Sequence, residues 1–297
     1  MLVRSNWAMI EIDSPPYRSL AEIWVGLGLS MSTPTAGDRP RRRSKRRTYP
    51  ILEYDPARVA MIEPSPLVKP EGVPECAVIC FFNEIIAEAC GDGQARLVGS
   101  FRWELGVHPL YDLEVDGRHV AVFHPGVGAP LAVGIMEEAI AYGCHKFIAV
   151  GGAGAIAPGL ALGHIVVPTA AVRDEGTSYH YLPPAREVAA DEAANRVVTS
   201  VLDRQGIPYT LGKTWTTDAP YRETRAMIER RRQEGCITVE MECAAFMAVA
   251  SHRGVRFAQM LYAGDDVSGE AWDERSWTTS SARHDLFWLG VESALNL

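Results

Sequence analysis

The sequence predicts an α/β fold with a mixed central sheet. Short apolar runs typical of buried strands alternate along the chain with longer segments of helical periodicity. The dipeptide Asp116-Gly117 separates two alternating runs, 110–115 and 119–123, and this arrangement is a signal for an antiparallel hairpin. A hairpin inside a series of strand–helix units makes the sheet mixed. The 297 residues, 47% of them hydrophobic, suffice for one large core or two small ones.

The elements follow one another in a regular order. Buried or alternating apolar runs predict strands, and amphipathic segments predict helices, several of which end at a glycine that suits a helix C-cap. The predicted strands are 77–82, 110–115, 119–123, 146–150, 209–216 and 257–263. The predicted helices are 84–90, 131–142, 187–205, 221–234, 244–250 and 282–295.

Two pairs of acidic residues stand in core-like sequence near the end of the chain. Glu240 and Glu242 come just before an apolar helix, and Asp265 and Asp266 come directly after a strand. Buried carboxylates are costly unless they are paired or hydrogen-bonded, and open α/β sheets bind ligands at the carboxyl ends of their strands. The pattern indicates a pocket wall. From these residues alone, a solvated helix start and an ordinary turn remain the alternative.

Three motifs carry a family resemblance. They are Val239-Glu240-Met241-Glu242, the glycine turn 151–156 with the apolar run 163–168, and the loop 173–181. Together they resemble the signatures of the nucleoside phosphorylase superfamily, over a stretch from about residue 76 to the C-terminus. The resemblance implies one three-layer α/β/α domain around a central, mixed and partly barrel-like sheet. It also implies an enzyme that acts on small-molecule nucleosides and forms a homo-oligomer, either a dimer or a hexamer.

Residues 1–49 lie outside this resemblance. We predict that they form a disordered extension, basic at 39–47, of a catalytic domain spanning 50–297; Met31 is an alternative start. The basic cluster holds seven of the 29 Lys and Arg residues, and without these seven charges the formal net charge of −8 becomes −15. A basic cluster can contact nucleic acid, but the acidic body argues against nucleic-acid binding as the main function.

Composition argues against several other classes. The longest apolar run near the start, 23–29, is too short to cross a bilayer and follows acidic residues, so we expect neither a membrane anchor nor a signal peptide. The six cysteines lack C-x-x-C spacing and predict buried free thiols in a reducing cytoplasm. The scattered histidines form no ligand pattern, so we expect no metal and no cofactor. Phosphate would be a co-substrate only in a phosphorylase.

The resemblance assigns the sugar side of the site. Glu242 matches the family carboxylate that accepts hydrogen bonds from ribose hydroxyls, and Met241 matches the residue that packs under the sugar. We expect Glu240 to bind the ribose together with these two residues. Hydrogen bonds of this charged kind contribute about 1.5–3 kcal/mol each.

The base side resembles that of purine-cleaving members. Asp265 follows Glu242 by 23 positions, as does the aspartate that protonates purine N7 in those members. Asp218, Tyr221 and Arg222 belong to the segment that covers the base in relatives. Pro220 replaces the stacking aromatic residue there, and the glutamine of uridine-specific members is missing. A purine-type base is therefore expected, with either Asp265 or Asp266 pointing inward.

The phosphate site of the family's phosphorylases is not recognisable. Residues 80–84 lack the family's arginine-containing loop, Ala149 replaces the arginine before the glycine turn, and His108 stands where an arginine lent by a neighbouring subunit is expected. Phosphate favours bidentate cations. The remaining candidates for an anion or nucleophile pocket are His108 and the glycines of two turns, Gly126, Gly128, Gly151 and Gly152.

Glu84 falls where the superfamily's nucleosidases place the glutamate that activates water. A carboxylate half-buried beside Phe81 and Phe82 would have a raised pKa, which suits a general base. The resemblance thus implies hydrolysis, in which Glu84 activates water, Glu242 holds the ribose and Asp265 protonates the leaving base. An ordinary residue in the first turn of a helix is the alternative for Glu84.

Three other functions stay open at this point. One is a phosphate-dependent uridine or purine phosphorylase whose anion site is rebuilt from Arg222, His108 and backbone N–H groups. Another is a non-catalytic protein that binds nucleosides, and the last is a nucleic-acid-binding protein that uses the basic tail. Trp272 and Trp277, in the loop after Asp265, are candidates for a lid.

Overall fold

The computed structural model describes residues 46–69, 72–276 and 281–297, which belong to one compact unit. Residues 1–45, which make up most of the predicted disordered extension and of the basic cluster, and Trp277 lie outside the described residues, and the boundary at 49/50 stays a prediction. The strands are β1 (Cys76–Cys80), β2 (Arg96–Trp103), β3 (Gly106–Val115), β4 (Arg118–Phe123), β5 (Lys146–Ala155), β6 (Ile165–Asp174), β7 (Glu187–Ala189), β8 (Tyr209–Thr217), β9 (Cys236–Glu240) and β10 (Arg256–Asp266). The helices are α1 (Asn83–Cys90), α2 (Ala129–Tyr142), α3 (Glu192–Arg204), α4 (Arg225–Gln233), α5 (Cys243–Arg253) and α6 (Ala282–Asn296).

The central sheet is mixed and partly closed. Its strand order is β10-β6-β8-β9-β5-β1-β4-β3-β2, and an additional pairing of β10 with β5 closes β5, β10, β6, β8 and β9 into a barrel. The pairing of β10 with β5 shifts register between Ala263 and Asp266, an irregularity that bends strands at a barrel rim. The mixed, partly barrel-like sheet predicted from the sequence is confirmed.

Helices cover both faces of the sheet. In β1, Ala77 and Ile79 pack against one buried cluster with residues of α2 and α5, whereas Val78 and Cys80 pack against another with residues of α1, α3 and α6. Alternate side chains of a strand point to opposite faces, so burial on both faces explains why this strand is a continuous apolar run. The six cysteines are free thiols and five of them are buried, as predicted.

Local signals fix several element boundaries. Asp116 and Gly117 have φ values of 50° and 73°, as a tight hairpin between β3 and β4 requires. The helix predicted at 187–205 begins only at Glu192, because the Asp191 carboxylate caps it by accepting the N–H groups of Ala193 and Ala194. The preceding residues join the sheet as β7 instead. The hydroxyl of Thr224 likewise caps α4, so the helix predicted at 221–234 starts later.

Helix α6 lies close against β5, and this contact generates a stability prediction. A Cβ added at Gly290 would lie 2.7 Å from Cγ1 of Val150. We expect Gly290→Val to lower the free energy of unfolding by roughly 1–3 kcal/mol through overpacking, measured by urea unfolding. Asp285→Val places the same side chain on an exposed position of α6 and serves as the control. Equal effects of the two substitutions would contradict the close packing.

Candidate active site

A cavity of about 570 Å³ opens where several strands end. Its wall is formed by the residues after β1, by the glycine-rich end of β5, by the β9–α5 connection, by the end of β10 and by the loop before α4. The carboxyl ends of parallel strands are the usual ligand-binding edge of an α/β sheet. Gln259 and Val239 contribute to the floor of this cavity.

Glu242 and Met241 lie together in this wall, at the entry to α5. The Glu242 side chain is buried, and its Oε1 atom accepts the backbone N–H of Gly128 at 2.6 Å. Burial, and after it the nearby charge of Glu240, raise the pKa of Glu242 to about 8. A buried carboxyl group beside an apolar side chain is suited to bind hydroxyl groups of a sugar.

Glu240 lines the cavity as well, and its predicted contact with ribose stays a prediction. Its Oε1 atom accepts the Thr216 hydroxyl at 2.6 Å, and its Oε2 atom accepts the N–H groups of Glu242 and Cys243 at 2.7 and 2.6 Å. Both carboxylate oxygens are therefore engaged by the protein. This carboxylate satisfies the first N–H groups at the start of α5, and it thereby holds Glu242 at the cavity wall.

The structure distinguishes the two neighbouring aspartates. The Asp265 carboxylate lines the cavity next to Gly154, and its Oδ2 atom accepts the indole N–H of Trp272 at 2.7 Å. The Asp266 carboxylate instead accepts the N–H of Ser268 at 2.7 Å and faces Arg275 at 3.6 Å. Asp265 is the aspartate that points inward.

Of the three residues predicted to bind the base from the 218–222 segment, one lines the cavity. Tyr221 does so with a fully exposed side chain. The Asp218 carboxylate accepts the N–H of Gly176 at 2.8 Å and thereby joins two loops outside the cavity. Arg222 is exposed and does not line the cavity either, because it belongs to a short 3₁₀ turn at the surface.

Glu84 is more exposed than predicted and does not line the cavity. Its side chain keeps 53% of its accessible surface, because it lies on the outer side of the first turn of α1. It forms an ion pair with Arg283 of α6, with 2.8 Å between Oε1 and Nη1. Arg283 is the residue that reaches the cavity, where its guanidinium group lies 4.5 Å above the ring centre of Phe82.

The predicted anion pocket divides into two parts. Gly151 and Gly152 line the cavity, where an added Cβ would come within 3.1 Å of the rings of Phe81 and Tyr262. The other turn does not offer free donors. The N–H of Gly128 binds Glu242, and the N–H of Gly126 binds Nδ1 of His124 at 2.9 Å. His108, with Gly126, lines a neighbouring cleft instead.

Glu223 and Arg283 were missed by sequence reasoning. Glu223 stands beside the recognised segment 218–222, but no motif marked it as facing a ligand, and Arg283 comes from a helix far along the chain. The Glu223 carboxyl lines the cavity and makes no hydrogen bond or ion pair within the described part of the chain. Burial, and after it the charge of Asp265, raise its pKa to about 7.

The cavity is acidic. Among the described residues that line it, four carry carboxyl groups and one carries a guanidinium group that already pairs with Glu84. In residues 46–69, 72–276 and 281–297, no group of three or more His, Cys, Asp or Glu side chains is arranged to hold a metal ion. Over the same residues, every helix is too short or too polar to cross a membrane.

The raised pKa of Glu242 predicts a pH effect on stability. Its pKa lies near 8 in the folded protein, against an ordinary value of 4.5, so between these values the folded state holds a proton that the unfolded state has lost. The free energy of unfolding should therefore fall as pH rises through this window. We expect Glu242→Gln to reduce that fall in urea unfolding at pH 5.5 and pH 8. The exposed Glu114→Gln is the control, and an identical pH dependence in all three proteins would contradict the assignment.

Comparisons with known proteins agree with this geometry. A uridine phosphorylase from Thermococcus kodakarensis is 31% identical over 153 residues, which are 47% of this chain and 55% of that protein. A guanosine phosphorylase from Halorubrum lacusprofundi is 26% identical over 195 residues, covering 64% of this chain and 78% of the relative. The chain thus spans little more than half the length of the first of these relatives.

The fold comparison gives the same result. The crystal structure of a uridine phosphorylase from Vibrio fischeri superimposes with a TM-score of 0.66 at 21% identity, covering 77% of this chain and 95% of that one. The model of the phosphorylase superfamily matches residues 92–293, which is well over half of the chain. With its mixed, partly closed sheet and this match, the chain belongs to the phosphorylase superfamily.

Proposed function

We propose that this protein cleaves the N-glycosidic bond of a nucleoside, with a purine-type base and with water as the nucleophile. One observation carries the proposal: Glu242 with Met241 and the inward Asp265 line the same cavity. Cleavage of this bond makes the sugar oxocarbenium-like while the base leaves with negative charge. Catalysis then requires groups that stabilise both charges as they develop.

Glu242 is suited to the sugar. Its carboxyl group, whose pKa is raised to about 8, would form hydrogen bonds with ribose hydroxyls, while Met241 packs against the ring. We expect the positive charge that develops on the sugar during cleavage to be stabilised by the ionised carboxyl groups of the cavity wall, because opposite charges attract. Four cavity carboxyl groups against one guanidinium group supply this field.

Asp265 is suited to the leaving base. Its Oδ2 atom accepts the Trp272 N–H, which leaves Oδ1 as the oxygen that would carry a proton to the base. Glu223 lies in the same part of the wall, and its unpaired carboxyl would accept N–H groups from the base edge. The name of the guanosine phosphorylase relative agrees with a purine base. Tyr221 and Trp272 offer aromatic surface beside it.

The small number of cationic side chains in the described cavity wall favours water over phosphate as the nucleophile. A phosphate dianion entering this cavity would meet several carboxyl groups, and the one cation among the described lining residues, Arg283, already pairs with Glu84. Desolvating a dianion without enough opposite charge is unfavourable. In the proposed hydrolysis, the Arg283 guanidinium holds a water molecule at the cavity edge and Glu84 accepts its proton as water attacks C1′ of the sugar.

Phosphorolysis is the second candidate. It is favoured by the names of the relatives, which are phosphorylases, and by Arg283, a cation at the cavity wall that the sequence alone did not reveal.

A homo-oligomer, dimer or hexamer, is part of the proposal, since a neighbouring subunit is the natural source of further cationic side chains. The exposed apolar residues Leu105 and Val107 border the cleft next to the cavity and suit such a contact. A cytoplasmic location agrees with the free thiols.

The nucleophile is tested by base release from purine and pyrimidine nucleosides with and without phosphate. We expect release from purine nucleosides that does not depend on phosphate. Glu84→Gln should lower kcat by roughly 10²–10⁴-fold, the usual contribution of a general base. Glu88→Gln, one turn further along α1 and exposed, is the matched control. Phosphate-dependent release would establish the second candidate, and nucleoside binding without any release would indicate a non-catalytic binding protein.

The base side is tested by two neighbouring substitutions. Asp265→Asn removes the proton that we assign to the leaving base, and we expect kcat to fall by roughly 10²–10⁴-fold. Asp266→Asn changes the adjacent carboxylate, which faces Ser268 and Arg275, and should leave kcat within about threefold of the original. Steady-state rates on inosine, guanosine and adenosine give the comparison. A larger loss in Asp266→Asn would reverse the assignment.

A further inference from the structure

His124 lies directly after β4, between two loops of the cavity wall. Its Nδ1 atom accepts the backbone N–H of Gly126 at 2.9 Å. Its ring also meets the ring of Phe81 edge-on, with 6.0 Å between the centroids. Phe81 belongs to the loop after β1 that lines the cavity. One side chain therefore contacts both the loop 81–82 and the 126–128 loop.

The 126–128 loop contacts Glu242, the carboxyl group that we assign to the sugar. Gly126 has a φ of 77°, and an added Cβ would lie 2.2 Å from Leu131, so this turn accepts only glycine. Val127 then lines the cavity, and the N–H of Gly128 donates to Glu242 Oε1 at 2.6 Å. A bond from His124 to the first residue of the loop thus determines where the last residue meets Glu242.

The neutral form of His124 is the one that makes this contact. Nδ1 can accept the Gly126 N–H only when it carries no proton, and protonation would place two donors against each other. Burial lowers the pKa of His124, as does the facing His108 of β3. A backbone hydrogen bond with Phe81 and the charge of Glu84 on α1 act in the opposite direction. These are the groups that face the ring from the elements around it.

We propose that neutral His124 is a positioning residue that fixes the 126–128 loop against Glu242. It thereby sets the position of the Glu242 carboxyl group, which we assign to the sugar. Protonation of the ring breaks the Nδ1 contact, releases the loop and removes the Gly128 donor from Glu242. The catalytic part of this inference rests on the proposed function. The structural part, the link from His124 to the Gly128 amide, does not.

Two substitutions separate the acceptor from the titratable ring. An asparagine side chain bonds the backbone N–H two residues on, which at this position is the N–H of Gly126, so His124→Asn retains the acceptor without titrating near neutral pH. His124→Leu keeps an apolar side chain of similar bulk and removes the acceptor. Circular dichroism and thermal unfolding establish that both variants are folded.

Amide hydrogen exchange provides the readout that is independent of activity. We expect the Gly128 amide to exchange about tenfold faster or more in His124→Leu than in the original protein, and to stay protected in His124→Asn. Below the pKa of His124, the protection factor of the Gly128 amide, which is its intrinsic exchange rate divided by its observed rate at the same pH, should fall in the original protein but not in His124→Asn. Equal protection of Gly128 in all three folded proteins would overturn the inference, whatever the enzyme's substrate.

Kinetics on guanosine and inosine test the catalytic part. We expect His124→Leu to lower kcat/KM by about 10–100-fold, in proportion to the weakened hold on the sugar, and His124→Asn to keep it within about threefold. The rate of His124→Asn should also fall less toward acid pH than that of the original protein. Equal losses in the two variants would contradict a role of the Nδ1 acceptor. If the original protein releases no base from any nucleoside, the proposed function fails, and the exchange result alone decides the inference.

Discussion

The site depends on a buried carboxyl group at the junction of a strand and a helix. Glu240 ends β9 and accepts four hydrogen bonds, two from N–H groups at the start of α5 and two from the hydroxyls of Thr214 and Thr216 on β8. The Thr216 hydroxyl in turn accepts the N–H of Ala244. Hydrogen bonds to a charged group contribute about 1.5–3 kcal/mol each, which offsets part of the cost of burying the carboxylate; burial still raises the pKa of Glu240 to about 7. This joint between strand and helix holds Glu242 and Met241 at the cavity wall.

Charge balance determines what the cavity can bind. Burial, and after it a neighbouring carboxyl group, raises the pKa of two carboxyl groups in the lining: Glu240 acts on Glu242, and Asp265 acts on Glu223. Such a lining is favourable for a sugar that becomes positive and unfavourable for an anionic nucleophile. Among the described residues that line the cavity, the single guanidinium group is that of Arg283. It forms an ion pair with Glu84, which lies outside the cavity. The proposed hydrolysis follows from this imbalance more than from the position of Glu84.

The order of elements was predictable because local signals set it. The Asp116-Gly117 hairpin and the two-sided apolar strands depend on short-range sequence, and the ordered motifs marked Glu242 and Asp265 as residues of one wall. The hydrogen-bond and ion-pair partners of Glu240 and Glu84 were not predictable. Both carboxylate oxygens of Glu240 accept hydrogen bonds from groups of β8 and α5. Glu84 forms an ion pair with an arginine almost 200 positions away. Such contacts depend on tertiary packing, which periodicity and spacing do not encode.

The most direct test of the account is to identify the sugar released from a purine nucleoside in phosphate buffer, by proton and phosphorus NMR. If water is the nucleophile, as we propose, the product is free sugar, formed at the same rate in phosphate-free buffer. A sugar 1-phosphate as the product would contradict it. That result would mean that Arg283, with or without cations from a neighbouring subunit, holds phosphate despite the surrounding carboxyl groups.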